Sequence, residues 1–298
     1  MPLYYCDQHE FPLPQGHRFP VRKYRLLREL LARDGRFRFE PAPMAGGGTI
    51  ARVHDPAYVR AFLGGTLEAA AMRRIGFPWS EGLVRRTLAS VGGTIAAARE
   101  ALECGVGGTL AGGTHHAGRA AGSGFCVFND IAVAIASVRA AGLARSAAIL
   151  DLDVHQGDGT AEIFEADPAA LTCSVHGRNN FPFRKKRSRI DIDLDDGAGD
   201  EEYLAALDAL LPRVAAFAPD IVFYQAGVDA LASDRLGRLA LTHAGLRERD
   251  LRVLGACRRA GLPVVVTLGG GYAEPIEETV EAHAGTFRTA AGLWECRR

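Results

Sequence analysis

The run Ala147-Ala148-Ile149-Leu150-Asp151-Leu152 leads directly into Asp153-Val154-His155-Gln156-Gly157-Asp158. The first half is short, apolar and bounded by polar residues, which reads as a buried strand of a parallel sheet. The second half sets acids and an imidazole where that strand ends. Ligands of open α/β sheets bind in the crevice outside the carboxyl ends of the strands. Residues two apart share a face of an extended chain. Asp151, Asp153 and His155 are therefore expected to point the same way, provided the strand continues that far. Two carboxylates and an imidazole are costly to bury together unless they are paired or hold a cation.

Working outward, 171–175, 221–224 and 264–268 repeat the strand pattern of 147–152. Between them, 83–102, 131–141, 203–216 and 244–260 are rich in Ala, Leu and Arg with helical periodicity, and Pro212 is expected to kink the third. This alternation predicts an α/β fold of three layers (αβα), with a mainly parallel central sheet and helices on both faces. No repeat and no Pro/Ser-rich linker divides the chain, so residues 1–298 are expected to form one domain.

Composition narrows the function. With 298 residues, 48% hydrophobic and 23% charged, the chain has ample material for a core. Lys plus Arg and Asp plus Glu both number 35, which argues against a broad basic face for nucleic acid or anionic lipid. Cys6, Cys104, Cys126, Cys173, Cys257 and Cys296 are scattered without a C-x-x-C pair, which excludes a thiolate zinc ribbon and argues against a disulfide framework. No basic stretch followed by an apolar one opens the chain, and no apolar run has the length of a membrane span. The expected setting is a reducing cytoplasm, and the expected partner is a small molecule or short peptide.

Other strand ends carry related chemistry. The strand at 221–224 runs into Gln225-Ala226-Gly227-Val228-Asp229, and that at 264–268 into Gly269-Gly270-Gly271-Tyr272. Asp153, His155 and Asp229 supply one nitrogen and two carboxylate oxygens, a three-ligand set with an open position that suits Zn²⁺. Fe²⁺ or Co²⁺ fits the same donors. His115-His116, bounded by glycines, can act as bases if carboxylates fix their tautomers, and Asp151 and Asp158 are available for this. A phenol at Tyr272 can donate to a developing oxyanion.

These motifs resemble the histone deacetylase family, in its order and over essentially the whole chain. They comprise His115-His116, Gly124-Phe125-Cys126-Val127-Phe128-Asn129-Asp130, the stretch from Asp151 to Gly159, Gly227-Val228-Asp229 and Gly269-Gly270-Gly271-Tyr272. Gly76-Phe77-Pro78-Trp79-Ser80 and Ser174-Val175-His176-Gly177-Arg178-Asn179-Asn180-Phe181-Pro182 are most similar to its class IV-like bacterial branch. The resemblance implies the arginase/deacetylase fold and a zinc amidohydrolase acting on an acylated lysine peptide or acylated small amine. It implies zinc on Asp153, His155 and Asp229, and His116 as principal general base and acid with His115 assisting. Asp151 would orient His115, Asp158 would orient His116, and Tyr272 would polarise the carbonyl. Gly124, Phe125 and Phe181 would line an apolar tunnel. Potassium (K⁺) would sit at Asp151, Asp153, His155 and Ser174, with a second alkali site near Phe164. A two-manganese ureohydrolase and a non-catalytic acyl-lysine binding module are the competing readings, with acetylpolyamines and long-chain acyl-lysines as alternative substrates.

Three tempting features point elsewhere. Asp191-Ile192-Asp193-Leu194-Asp195-Asp196 has Asp where a calcium loop needs its sixth-position Gly, and its alternation reads as an exposed strand followed by a turn. The basic run at 184–189 reads as a solvated loop near the pocket rim. Gly105-Val106-Gly107-Gly108 lacks the Gly-Lys-Ser/Thr ending of a phosphate loop.

Overall fold

The computed structural model describes residues 1–294, so Cys296 lies outside the described residues. Eight strands form one sheet: β1 (Pro2–Tyr5), β2 (Arg38–Pro41), β3 (Val106–Thr109), β4 (Ala147–Asp151), β5 (Ala170–Gly177), β6 (Ile190–Leu194), β7 (Ile221–Gln225) and β8 (Val264–Thr267). Their order is β2-β1-β3-β8-β7-β4-β5-β6, and every pairing is parallel.

The helices that cover the sheet follow from its alternation. Ala148, Leu150, Val222, Tyr224, Val264 and Val266 face one core. Against them pack α1 (Arg22–Ala32), α8 (Asp200–Phe217), α9 (His243–Ala260) and α10 (Ile276–Leu293), through Leu27, Leu207, Val253 and Phe287 among others. The intervening Ala147, Ile149, Ile221, Phe223 and Val265 face a second core with α5 (Glu81–Cys104), α6 (Asp130–Ala140) and α7 (Asp158–Phe164). Three short helices, α2 (Gly47–Ile50), α3 (Pro56–Leu63) and α4 (Ala69–Ile75), complete this side. The three-layer αβα arrangement is thus the observed fold.

The four expected strands and four expected helices all form, with no end displaced by more than three residues. Helix α8 continues on both sides of Pro212. One correction bears on the site. Strand β4 stops at Asp151, and 152–157 form a loop. The expected common face of Asp151, Asp153 and His155 therefore does not exist as strand geometry. The loop instead parts Asp151 from the other two. Among the described residues, no helix is long and apolar enough to cross a membrane.

Candidate active site

The loops after the four central strands meet at one end of the sheet. Strand β3 leads to His115 and His116, β4 to Asp153, His155 and Asp158, β7 to Asp229, and β8 to Tyr272. Sheet topology therefore gathers residues as distant as 115 and 272.

Asp153, His155 and Asp229 each offer a ligand atom, and these atoms lie within 4.8 Å of one another. His155 Nδ1 is 3.0 Å from Asp153 Oδ1 and 3.0 Å from Asp229 Oδ2. Backbone amides fix the far oxygens: Val154 N donates to Asp229 Oδ1 at 2.9 Å, and Gly270 N to Asp153 Oδ2 at 2.6 Å. A Cβ at Gly270 would stand 1.7 Å from Asp229 Oδ2, so only glycine lets the backbone come this close. Electrostatics favour positive charge here. Burial alone would pull the His155 pKa down, but hydrogen bonds to the two aspartates outweigh it and raise it to about 10. Asp229 is pushed up to about 7 by burial and by the charge of Asp153. Two buried carboxylates that draw a cation, beside an imidazole nitrogen, fit a divalent metal such as Zn²⁺.

Asp151 belongs to the histidine pair. His115 Nδ1 meets Asp151 Oδ2 at 2.7 Å, and His116 Nδ1 meets Asp158 Oδ1 at 2.6 Å. Asp158 starts α7, and Gly157 before it leaves room for the Asp151 carboxylate, where a Cβ would lie 2.3 Å from Oδ2. The two imidazoles differ. Burial lowers His115, but Asp151 and Asp153 prevail and lift it to about 9. Burial and the neighbouring His115 lower His116 to about 4, against the opposing pull of Asp158. The pair is thus pushed apart, His115 towards the charged form by its aspartates and His116 towards the free base by burial.

A cavity of about 970 Å³ opens above these groups. His115, His116, Asp153, His155 and Tyr272 line it, together with Gly124, Phe125 and Phe181. The Phe181 ring stands edge-on to His116, centroids 4.9 Å apart. Phe125 packs on Phe77 and Phe19 at 5.3 Å, and its φ of +65° is the left-handed region that a bulky side chain rarely adopts. Phe125 N bonds Ile75 O at 2.8 Å and so holds the turn. Phe183, 85% exposed, and Arg18, Arg73, Arg74, Arg235 and Arg238 mark the mouth. Tyr272 is half-buried, and burial holds its phenol well above the ordinary range, so it stays a donor.

Ser174 lies beside Asp151 in the β4–β5 register, and its Oγ bonds His176 Nδ1 at 2.9 Å. Phe164 ends α7 and is buried in the second core. The acidic run is consumed by ion pairs: Asp193 and Asp195 hold Arg178, and Asp196 holds Arg238. In the basic run Arg184, Lys186, Arg187 and Arg189 are exposed, while Lys185 donates to Asn180 O and Pro182 O.

Three positioning residues escaped the sequence reading. Asp234 Oδ2 accepts from Tyr272 N at 2.6 Å. The wholly buried Arg249 donates to Gly227 O at 2.5 Å, tying down the loop before Asp229. Lys23 donates to Gly269 O at 3.0 Å. All three act on backbone far away in sequence. The single legible sign was an Arg249-Asp250 pair among apolar helix positions.

Comparison with known proteins fits this architecture. The fold is that of the crystal structure of the HDA15 HD domain, with a TM-score of 0.80, 25% identity, and coverage of 99% of this chain and 88% of that one. The crystal structure of acetylpolyamine aminohydrolase from Burkholderia pseudomallei shares the fold at a TM-score of 0.79 and 23% identity, covering 98% and 99%. The sequence model for the histone deacetylase domain matches residues 17–287, and the chain belongs to that family of hydrolases. An uncharacterized protein of Picosynechococcus sp. is 46% identical over 98% of this chain and 99% of its own length. Histone deacetylase clr6 of Schizosaccharomyces pombe is 33% identical over 73% of this chain, and histone deacetylase 2 of Arabidopsis thaliana 35% over 61%. The chain spans about half the length of these two, 52% and 48%.

Proposed function

We propose that this chain is a zinc-dependent amidohydrolase that removes acetyl or another acyl group from a lysine side chain or a related amine. The observation that carries the reading is the convergence, in one aromatic-walled cavity, of the Asp153/His155/Asp229 donor set, the His116–Asp158 pair and Tyr272. When bound, Zn²⁺ supplies Lewis acidity that polarises the amide carbonyl and lowers the pKa of water from about 15.7 towards roughly 7.

The chain's own residues do the rest. Asp158 holds Nδ1 of the neutral His116, which leaves Nε2 to take a proton from water and return it to the leaving amine. His115, fixed by Asp151, assists electrostatically beside it. The Tyr272 hydroxyl donates to the oxygen that becomes negative as the carbonyl turns tetrahedral. Phe125 and Phe181 offer a narrow apolar slot for the four-carbon lysine stem and keep water from it.

One donor group of three, found once among the described residues, favours a single zinc over a two-manganese ureohydrolase. A mouth lined by five arginines, of which Arg235 and Arg238 are paired with Glu274 and Asp196 and Arg18, Arg73 and Arg74 form no ion pair among the described residues, favours an acyl-lysine peptide over a cationic acetylpolyamine. Potassium beside Asp151, Asp153, His155 and Ser174 belongs to the same proposal, with the Asp151–Ser174 register as its support. The test is turnover by zinc-loaded protein on acetyl-lysine peptides, acetylpolyamines and long-chain acyl-lysines. Turnover on the peptides is expected. Failure on every acylated amine would favour a non-catalytic binding module.

A further inference from the structure

The mouth of the cavity is electrostatically one-sided. On the Phe181 side its arginines are already paired, Arg235 with Glu274 at 2.7 Å and Arg238 with Asp196 at 3.0 Å. The segment carrying them is bonded to Asn180, whose side chain accepts from Arg238 N at 3.2 Å and donates to Leu236 O at 2.8 Å. The exposed Arg18, Arg73 and Arg74 form no ion pair among the described residues, and all three belong to the Phe125 side. Arg73 and Arg74 lie in the last turn of α4, which Gly76 ends with a φ of +90°. A Cβ at Gly76 would stand 2.9 Å from the Phe125 ring, so the helix closes tightly against the slot wall. Arg74 O accepts from Gly124 N at 3.2 Å, and Ile75 O from Phe125 N at 2.8 Å. Arg18 comes from a separate loop. Its neighbours His17 and Phe19 set their rings 5.7 and 5.3 Å from that of Phe125, and His17 Nε2 donates to Gly76 O at 2.8 Å. The helix dipole accounts for cations in the last turn of α4, but not for Arg18 beside them. Among the described residues the one carboxylate lining the cavity is Asp153, in the metal donor set. In a chain of zero net charge, three like charges are thus gathered at one wall of the slot with no acid of their own.

We infer that Arg18, Arg73 and Arg74 select peptides with an acidic residue close to the acylated lysine. The inference rests on the amidohydrolase reading for the placing of that lysine in the Phe125/Phe181 slot. With the stem in the slot, the peptide backbone must cross the mouth. An extended chain advances about 3.3 Å per residue, so the first few residues on one side of the lysine pass the Phe125 wall. Asp or Glu there meets a guanidinium that no protein carboxylate occupies, and Lys there is repelled. The paired arginines across the mouth offer no comparable attraction, so the preference falls on one flank of the lysine. Exposed ion pairs are individually weak and screened by salt, which sets the scale of the effect.

The test compares acetyl-lysine peptides of one length that carry Glu, Gln or Lys at each position near the lysine, before and after it. Wild type is expected to favour Glu over Gln by about three- to tenfold in kcat/KM on one flank, mainly through KM, with the ratio shrinking as salt is raised. The triple variant Arg18→Gln, Arg73→Gln, Arg74→Gln should bring the ratio close to one, and the corresponding triple Lys variant should keep most of it. Arg259→Gln changes net charge by the same step at an exposed position in the last turn of α9, which leads into the far end of β8, and should leave the ratio intact. Binding of the same peptides by fluorescence anisotropy needs no turnover. A Glu preference in binding that the triple Gln variant loses, with no hydrolysis of any peptide, sinks the amidohydrolase reading and leaves the inference standing. A flat ratio in both assays overturns it, as does a ratio that Arg259→Gln lowers equally. Sedimentation with phosphatidylserine vesicles that the triple Gln variant loses, alongside a flat peptide ratio, gives the arginines to an anionic membrane and overturns the peptide assignment.

Discussion

The rings of His115 and His116 lie with centroids 4.0 Å apart, yet burial and their carboxylates drive their pKa values in opposite directions. Asp151 and Asp153 surround His115, whereas His116 has Asp158 alone and feels its charged neighbour. One residue step therefore separates an imidazole pushed towards the charged form from one pushed towards the free base. His116→Ala should lower kcat by about 10²–10⁴, the usual yield of general acid–base catalysis. Asp158→Asn should cost less and should move the acidic limb of kcat/KM to lower pH, because Asp158 raises the His116 pKa. The base form of His116 exists above its pKa, so activity falls as pH drops through it. A pH–rate profile with an unmoved acidic limb would remove His116 from the role of base.

The metal centre leads to a second expectation. Asp229→Ala removes one donor and should leave well under one zinc per chain after dialysis, with activity lost. Gly270→Ala should do the same by a different route, since its methyl group would occupy the space of Asp229 Oδ2. Elemental analysis of purified wild type should give one zinc. Two tightly bound manganese ions would reverse the choice of chemistry.

Much of this site could be read from sequence because its residues follow strands with strong patterns. Strand β4 and the segment Asp151 to Asp158 are contiguous, and β7 and β8 are branched and aromatic runs. The strand β3 was invisible for a physical reason. Its Val-Gly-Gly-Thr sequence has no β-branched pattern, because Gly107 lies against the α5 backbone, where a Cβ would stand 2.0 Å from Ala97 O. The strands β1 and β2 are four residues each and lie together at one edge, too short to show alternation. The exposed alternation of Ile190–Leu194 was legible and forms β6. What alternation could not give was the divergence of Asp151 from Asp153, which depends on where β4 ends.

Tyr272 supplies a third test. Its backbone is held by Asp234, and its phenol lines the cavity beside the metal donors. Tyr272→Phe keeps the ring and its packing on Phe125, 6.3 Å away. Zinc content and fold should be unchanged, while kcat should fall about 10²–10³, the usual cost of one oxyanion donor. A variant at full rate would take the hydroxyl out of the mechanism.

A fourth prediction concerns acid stability and lies away from the centre. His54 is 1% exposed, and its Nε2 accepts the backbone N–H of Asn129 at 2.9 Å. Asn129 in turn caps α6 through Ala132 N. Protonation would place a hydrogen on the nitrogen that must accept, and burial lowers the His54 pKa to about 4. The folded value is below the unfolded one of about 6.5, so the unfolded chain binds more protons between them. Stability from this group is complete above about pH 6.5 and is lost as pH falls towards about 4, by about 3 kcal/mol at most. His54→Gln keeps an acceptor for Asn129 and cannot titrate. Urea midpoints at pH 7.5, 6 and 4.5 should fall more steeply for wild type than for this variant, and parallel slopes would show that His54 is not the acid-sensitive group.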